Sequence, residues 1–134
     1  MTDLHRELES ALSRHLGRES TMLFNSGFGG GLGALQAILR KCDAAIVDQK
    51  VHMCLLDGVK LSGAQLVAFD HNDAKSFEAA LEKTKGKRRL VIVEGIYSMD
   101  GDMADLKQIV PMAEAMGVSV FLDEAHSFLG CGEN

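Results

Sequence analysis

The chain has 134 residues, 46% of them hydrophobic and 25% charged, which is one domain's length and the balance of a globular chain rather than a disordered one. Lys+Arg 14 against Asp+Glu 19 give a net charge of −5, which argues against a nucleic-acid-binding surface, and no apolar stretch reaches the roughly 20 residues of a membrane helix. The N-terminus lacks the basic, apolar and small-residue progression of a signal peptide, and Cys42, Cys54 and Cys131 form no CxxC pair, so reduced thiols and a cytoplasmic location are expected.

Leu4, Leu8, Ala11, Leu12 and Leu16 recur at helical spacing, and Gly17 stops the pattern. The run from Thr21 to Phe24 reads as a short strand that breaks into Asn25-Ser26-Gly27-Phe28-Gly29-Gly30-Gly31. A helix follows, with Leu32, Leu35, Ile38 and Leu39 as its inner face. Ala44–Val47 reads as a buried strand ending in Asp48, and His52–Leu61 as a helix closed by Gly63. Leu66–Phe69 is a strand, and Phe77, Ala80 and Leu81 mark the next helix. Leu90–Val93 is a strand ending in Glu94-Gly95. Leu106, Ile109, Val110 and Met112–Met116 form a helix closed by Gly117, and Val118–Leu122 is the last strand, followed directly by Asp123.

Strands that are apolar throughout and alternate with helices specify an α/β fold, a mostly parallel sheet covered by helices on both sides. Such sheets bind ligands at the carboxyl ends of their strands. The informative residues cluster there: Ser26-Gly27, Asp48–His52, Asp70-His71-Asn72, Glu94–Asp102 and Asp123–His126. The run from Lys83 to Arg89 (KTKGKRR) is expected to be a solvated surface turn rather than an anion site.

The string SGFGGGLG offers bare N–H groups at a helix start, where an anion is favoured; the alternative is a flexible joint with no ligand. It matches neither GxGxxG nor a phosphate loop ending in Lys-Ser/Thr. Asp123-Glu124-Ala125-His126 has the look of a nucleotide-hydrolysing box, but the only Gly-Lys, at Gly86-Lys87, precedes Arg88 and not a hydroxyl. A metal site from Asp100, Asp102, Asp123 and His126 lacks recognisable ligand spacing, so no metal is expected. His52 at a helix start is either a cap or a functional residue, and Asp100-Gly101-Asp102 is equally good turn chemistry.

Five strings occur together along the chain: His5-Arg6-Glu7-Leu8-Glu9, Ser26-Gly27-Phe28, Phe69-Asp70-His71-Asn72-Asp73, Glu94-Gly95-Ile96-Tyr97-Ser98-Met99-Asp100-Gly101-Asp102 and Asp123-Glu124-Ala125-His126-Ser127. In this order and spacing the chain resembles the α-oxoamine synthase family. These are pyridoxal-phosphate-dependent acyltransferases of fold type I, among them 8-amino-7-oxononanoate synthase, 2-amino-3-ketobutyrate CoA ligase, 5-aminolevulinate synthase and serine palmitoyltransferase. The resemblance implies a three-layer α/β/α fold, with residues 1–134 as the central part of the large cofactor-binding domain. It implies pyridoxal 5'-phosphate as cofactor, an amino acid and an acyl-CoA as substrates, an α-amino ketone as product, and a homodimer.

The resemblance also implies roles for single residues. Asp123 would pair with the pyridine nitrogen, His52 would stack on the ring, and His126 would hydrogen-bond the phenolic oxygen or the substrate carbonyl. Ser98 would lie near that oxygen. Gly27 and Phe28, after Ser26, would offer N–H groups to the phosphate. Glu94 would lie near the substrate, making His126, His52 and Glu94 the expected catalytic residues. Three departures stand out. Gly29, Gly30 and Gly31 replace a segment that in the family includes an asparagine, and Cys54 replaces a hydroxyl residue. None of the lysines stands in the motif of the lysine that attaches the cofactor, so the attachment region, an N-terminal segment and a small C-terminal domain are expected to be missing. The alternatives are an inactive truncated or scaffold chain, or another fold type I enzyme such as an aminotransferase.

Overall fold

The computed structural model describes residues 2–130; Cys131 lies outside them. Among the described residues five helices and four strands follow the order α1 (Asp3–Leu16), α2 (Gly27–Ile38), β1 (Ala44–Asp48), α3 (Met53–Ser62), β2 (Gln65–Phe69), α4 (Ala74–Lys83), β3 (Arg89–Glu94), α5 (Leu106–Ala115) and β4 (Ser119–Asp123). The strands form one parallel sheet in the order β2-β1-β3-β4. The chain steps one way from β1 through α3 to β2, and the other way through α4 and α5. Right-handed crossovers then set α3 on one face and α4 with α5 on the opposite face. The expected three-layer α/β/α architecture is what the chain adopts.

The two middle strands carry the core. Ile46, Val47, Val91, Ile92 and Val93 are fully buried, and Phe69 packs on Phe77 with ring centroids 5.0 Å apart. The two outer strands are not buried on both faces as expected. Gln65 and Ala68 of β2 and Ser119 of β4 are exposed, because an edge strand lacks a second neighbour.

Two segments differ from the sequence reading. Thr21–Phe24 forms no strand, and among the described residues it has no ladder partner. It straps across α1 instead: Leu23 N–H donates to the Glu9 carboxylate at 3.0 Å, and the Thr21 hydroxyl donates to the Glu9 carbonyl at 2.7 Å. The glycines after Phe28 are not a loop but the opening turns of α2, capped by Ser26, whose hydroxyl accepts from Gly29 N–H at 3.0 Å. Glycine is a poor helix former, and here packing overrides propensity. A Cβ on Gly31 would stand 3.0 Å from Leu55 Cδ2, and one on Gly58 would stand 3.0 Å from Leu35 Cβ. These bare positions let α2 and α3 lie close together. Within α2, Leu35 faces inward as expected, whereas Ile38 is exposed.

The basic run is not simply solvated. Arg89 donates to the carbonyls of Leu81 (3.1 Å) and Met116 (2.9 Å), at the ends of α4 and α5. Arg88 donates to the Ile38 carbonyl at the end of α2 and grips Asp43. Two cations thus complement three helix C-termini, where carbonyls lack intrahelical partners.

Candidate cofactor site

Every strand of this sheet points its carboxyl end the same way, and β1 and β3 are neighbours from which the chain departs in opposite directions. A crevice opens outside such a switch point. The register does the rest: Glu94 and Asp123, the last residues of β3 and β4, stand side by side. Asp48 ends β1, and His52 lies four residues on, at the cap of α3.

A cleft of about 170 Å³ is lined by Gly27, Phe28, His52, Cys54, Glu94, Asp123, Ala125 and His126. Each wall has a local cause. The α2 N-terminus supplies Gly27 and Phe28. Ser26 takes the N–H groups of Gly29, through its hydroxyl, and of Gly30, through its carbonyl at 2.9 Å. The N–H groups of Gly27 and Phe28, in the first turn, have no intrahelical acceptor. Phe28 meets the His52 ring edge-on, with centroids 6.3 Å apart.

His52 is fixed on two sides. Its backbone N–H donates to the Glu94 carboxylate. Its ring Nδ1 accepts from the Cys54 N–H at 3.2 Å and lies 3.0 Å from the Cys54 sulfur. An Nδ1 that accepts assigns the ring hydrogen to Nε2, leaving a neutral imidazole. Glu94 is only 2% exposed. Burial pushes its carboxyl above the ordinary range and the nearby Asp123 charge adds to this, while the His52 N–H opposes it. Burial likewise raises the Cys54 thiol, with Asp123 and Glu94 adding to it.

Asp123 is half-buried, and its carboxylate accepts from Ala125 N–H at 2.9 Å, which turns the chain sharply toward His126. Room for this turn comes from Gly95. A Cβ there would lie 2.9 Å from Ser127 Cβ and closer still to its hydroxyl. Gly95 N–H also donates to the Asp123 carbonyl at 2.8 Å.

Six of the residues expected at the site therefore share one cleft: Gly27, Phe28, His52, Glu94, Asp123 and His126. Ser26 serves as the α2 cap, and Ser98 is exposed on the loop after β3, outside the cleft lining. Sequence reasoning did not place Cys54 or Ala125 in the wall; the available signal for Cys54 is its place in the first turn of α3, where a His52 cap meets its N–H. Among the described residues no group of three His, Cys, Asp or Glu side chains is arranged to hold a metal ion.

The model of the family described as aminotransferase class I and II matches residues 1–134. The chain belongs to that family. Among aminotransferase class I and II relatives, the 8-amino-7-oxononanoate synthase of Alkaliphilus metalliredigens is 40% identical over 134 residues, covering 98% of this chain and 34% of its own length. The serine palmitoyltransferase of Sphingomonas wittichii superposes with a TM-score of 0.90 at 32% identity, covering 94% of this chain and 32% of that one. A serine palmitoyltransferase of S. paucimobilis with a bound PLP–myriocin aldimine gives 0.91 at 34% identity, over 95% and 32%. The resemblance to α-oxoamine synthases, the fold type I architecture and the pyridoxal phosphate connection are borne out. The chain spans about a third of the length of the curated relatives it matches.

The cleft of this aminotransferase class I and II chain fits that cofactor by the chemistry of its donors. A half-buried carboxylate suits a protonated ring nitrogen, two free N–H groups at a helix start suit a phosphate, and a neutral imidazole suits a ring face.

Proposed function

We propose that these 134 residues form the cofactor-cradling part of an α-oxoamine synthase, an acyltransferase that condenses an amino acid with an acyl-CoA to an α-amino ketone. The observation that carries this reading is the placement of Asp123 in one cleft with the α2 N-terminus and His52. Pyridoxal phosphate, when bound, supplies an electron sink for negative charge developing at an amino acid's α-carbon.

The chain's own residues would make that sink effective. Asp123 would accept the hydrogen of the ring nitrogen and keep it there. The Gly27 and Phe28 N–H groups would donate to the phosphate, helped by the positive end of α2. His52, held by Cys54 and Glu94, would stack on the ring. His126 would donate to the phenolic oxygen or to a substrate carbonyl. Glu94, raised toward its protonated form, would lie near the substrate. Ser98 would reach the phenolic oxygen from the loop after β3, and Ser26 orients the phosphate-binding turn. Among the described residues no lysine lines the cleft, so this stretch provides the cradle and not the covalent attachment. On this reading residues 1–134 are the central part of the large domain of a homodimeric cytoplasmic enzyme. The described helices support a chain that does not cross a membrane, since none is long and apolar enough.

Titrating the chain with pyridoxal phosphate, followed by absorbance and fluorescence, tests the cradle without requiring turnover. Asp123→Asn is expected to weaken binding about tenfold, the equivalent of one charge-assisted hydrogen bond, and to shift the absorbance toward the unprotonated ring. Its circular dichroism should be unchanged, since the side chain is half-buried and fills no core. Equal affinity and equal spectra for the two proteins would sink the reading.

A further inference from the structure

The Asp70-His71-Asn72-Asp73 turn after β2 is a motif that the cleft does not use, and each of its inner residues has a separate task. Asp73 caps α4 by accepting from Ser76 N–H at 2.7 Å. Asn72 takes the left-handed φ of +53°, which asparagine tolerates better than most residues. Its side chain donates to the Met103 carbonyl at 3.0 Å and accepts from Asp105 N–H at 3.1 Å. His71 lies between two carboxylates: Nδ1 is 3.0 Å from Asp48 and Nε2 is 2.7 Å from Asp102.

A neutral imidazole has one donor, so one of those contacts would set a lone pair against a carboxylate oxygen. Only a ring with both nitrogens protonated satisfies both ends. The groups facing it fit that state. Asp48 is fully buried at the end of β1, Asp102 comes from the loop after β3, and Lys50 stands in an ion pair with Asp100 at 2.8 Å. Tyr97 meets the ring edge-on with centroids 4.5 Å apart, and the Asn72 amide nitrogen, 3.3 Å from Nε2, gives its hydrogen bond to the Met103 carbonyl and not to the ring.

We propose that His71 is a positioning residue: as an imidazolium bridging Asp48 and Asp102, it locks the β1 exit loop that presents His52 to the 97–102 loop that presents Ser98. The bridge closes the second loop from inside. Asp102 O accepts from Tyr97 N–H at 2.9 Å and Tyr97 O accepts from Gly101 N–H at 2.8 Å, so anchoring Asp102 fixes the turn that contains Ser98. At the other end, Asp48 accepts from Lys50 N–H at 2.9 Å, which sets the path from β1 to His52. The two carboxylates, taken alone, would repel. Removing the positive charge therefore frees both loops together. The bonds from Asp102 and Asp48 raise the His71 imidazole above its ordinary value against the pull of burial, and His71 lowers Asp102 in return. The consequence for the cofactor rests on the reading of His52 and Ser98 as its contacts.

The test uses the 134-residue chain. Nitrogen-15 spectra of the His71 ring should show both nitrogens protonated at neutral pH. Amide exchange at Tyr97 and Gly101, normalised to the intrinsic rate, should speed up roughly tenfold as the ring loses its proton at alkaline pH, the size a charge-assisted hydrogen bond corresponds to. His71→Gln, which keeps a donor but no charge, should show fast exchange at every pH and no step. Affinity for pyridoxal phosphate should fall several-fold along the same step in the parent chain and stay at the lower level in His71→Gln. A singly protonated ring at neutral pH, or a flat exchange profile in the parent chain, overturns the bridge. An exchange step with no accompanying change in affinity overturns its positioning role. Asp123→Asn tests the cleft separately, since that substitution leaves the exchange step in place.

Discussion

Two carboxylates are buried almost equally at opposite ends of the sheet, Asp43 at 3% exposure and Glu94 at 2%, and their protonation is pulled in opposite directions. At the amino end, the Arg88 guanidinium holds the Asp43 carboxyl below its ordinary value, and Arg40 N–H adds a bond at 2.7 Å. At the carboxyl end, Glu94 has no cation beside it, a backbone N–H for a partner, and burial that pushes it upward. The amino end therefore uses its charges to secure the fold. The carboxyl end holds an acid in a state that opposes stability, which is the usual mark of a site shaped for chemistry. Stability and ligand binding should separate along this axis.

The largest loss is expected at the amino end. Asp43→Ala removes the partner of Arg88 and leaves Arg40 N–H without its acceptor. Arg88 is more than half exposed and keeps water and the Ile38 carbonyl, so the loss is that of the charge-assisted bonds to Asp43 together with the stranded Arg40 N–H. Urea denaturation should give a lower midpoint for Asp43→Ala than for substitutions at Gly95, Arg89 or Glu94. Because the folded value is depressed, the Asp43 contribution in the parent chain is present above the ordinary aspartate range and is lost as pH falls through the folded value. Asp43→Ala should therefore approach the parent's stability in acid.

Gly95→Ala strikes the carboxyl end through packing. Its Cβ would collide with Ser127, whose hydroxyl is buried with no partner among the described residues. Overpacking of this kind costs about 1–3 kcal/mol. It should also displace the Asp123–His126 turn, so pyridoxal phosphate affinity falls with stability. Arg89→Ala, by contrast, deletes two bonds to helix-end carbonyls, costing about 1–2 kcal/mol. Its affinity for pyridoxal phosphate should equal that of the parent chain. A loss of affinity there would break the division between the two ends.

The division was legible in the sequence at one end and hidden at the other. Strand positions followed from unbroken apolar runs, and the acids and histidines of the cleft followed from their place just after those runs. Whatever depends on distant partners did not show. KTKGKRR reads as a solvated turn because nothing local says that Arg88 and Arg89 reach three helix ends. The glycines after Phe28 read as a loop because their helix is stabilised by a seam with α3, across from Cys54, Leu55 and Gly58. His71 sits 23 residues from one carboxylate and 31 from the other, so its bridge has no local signature.

The smallest effect carries the sharpest sign. Glu94→Gln keeps an oxygen to accept the His52 N–H but removes a charge that burial disfavours. A raised folded value means that the native state binds more protons than the unfolded chain across the window between the ordinary glutamate value and the folded one. Stability from this group therefore declines as pH rises through that window, and the whole cost is present above the folded value. Glu94→Gln should raise the urea midpoint slightly at neutral pH and flatten the decline, whereas the Asp43 variant moves both quantities the other way. If Glu94→Gln is less stable than the parent at neutral pH, the His52 N–H bond to the charged carboxylate outweighs its burial. The carboxyl end would then be held together in the same manner as the amino end.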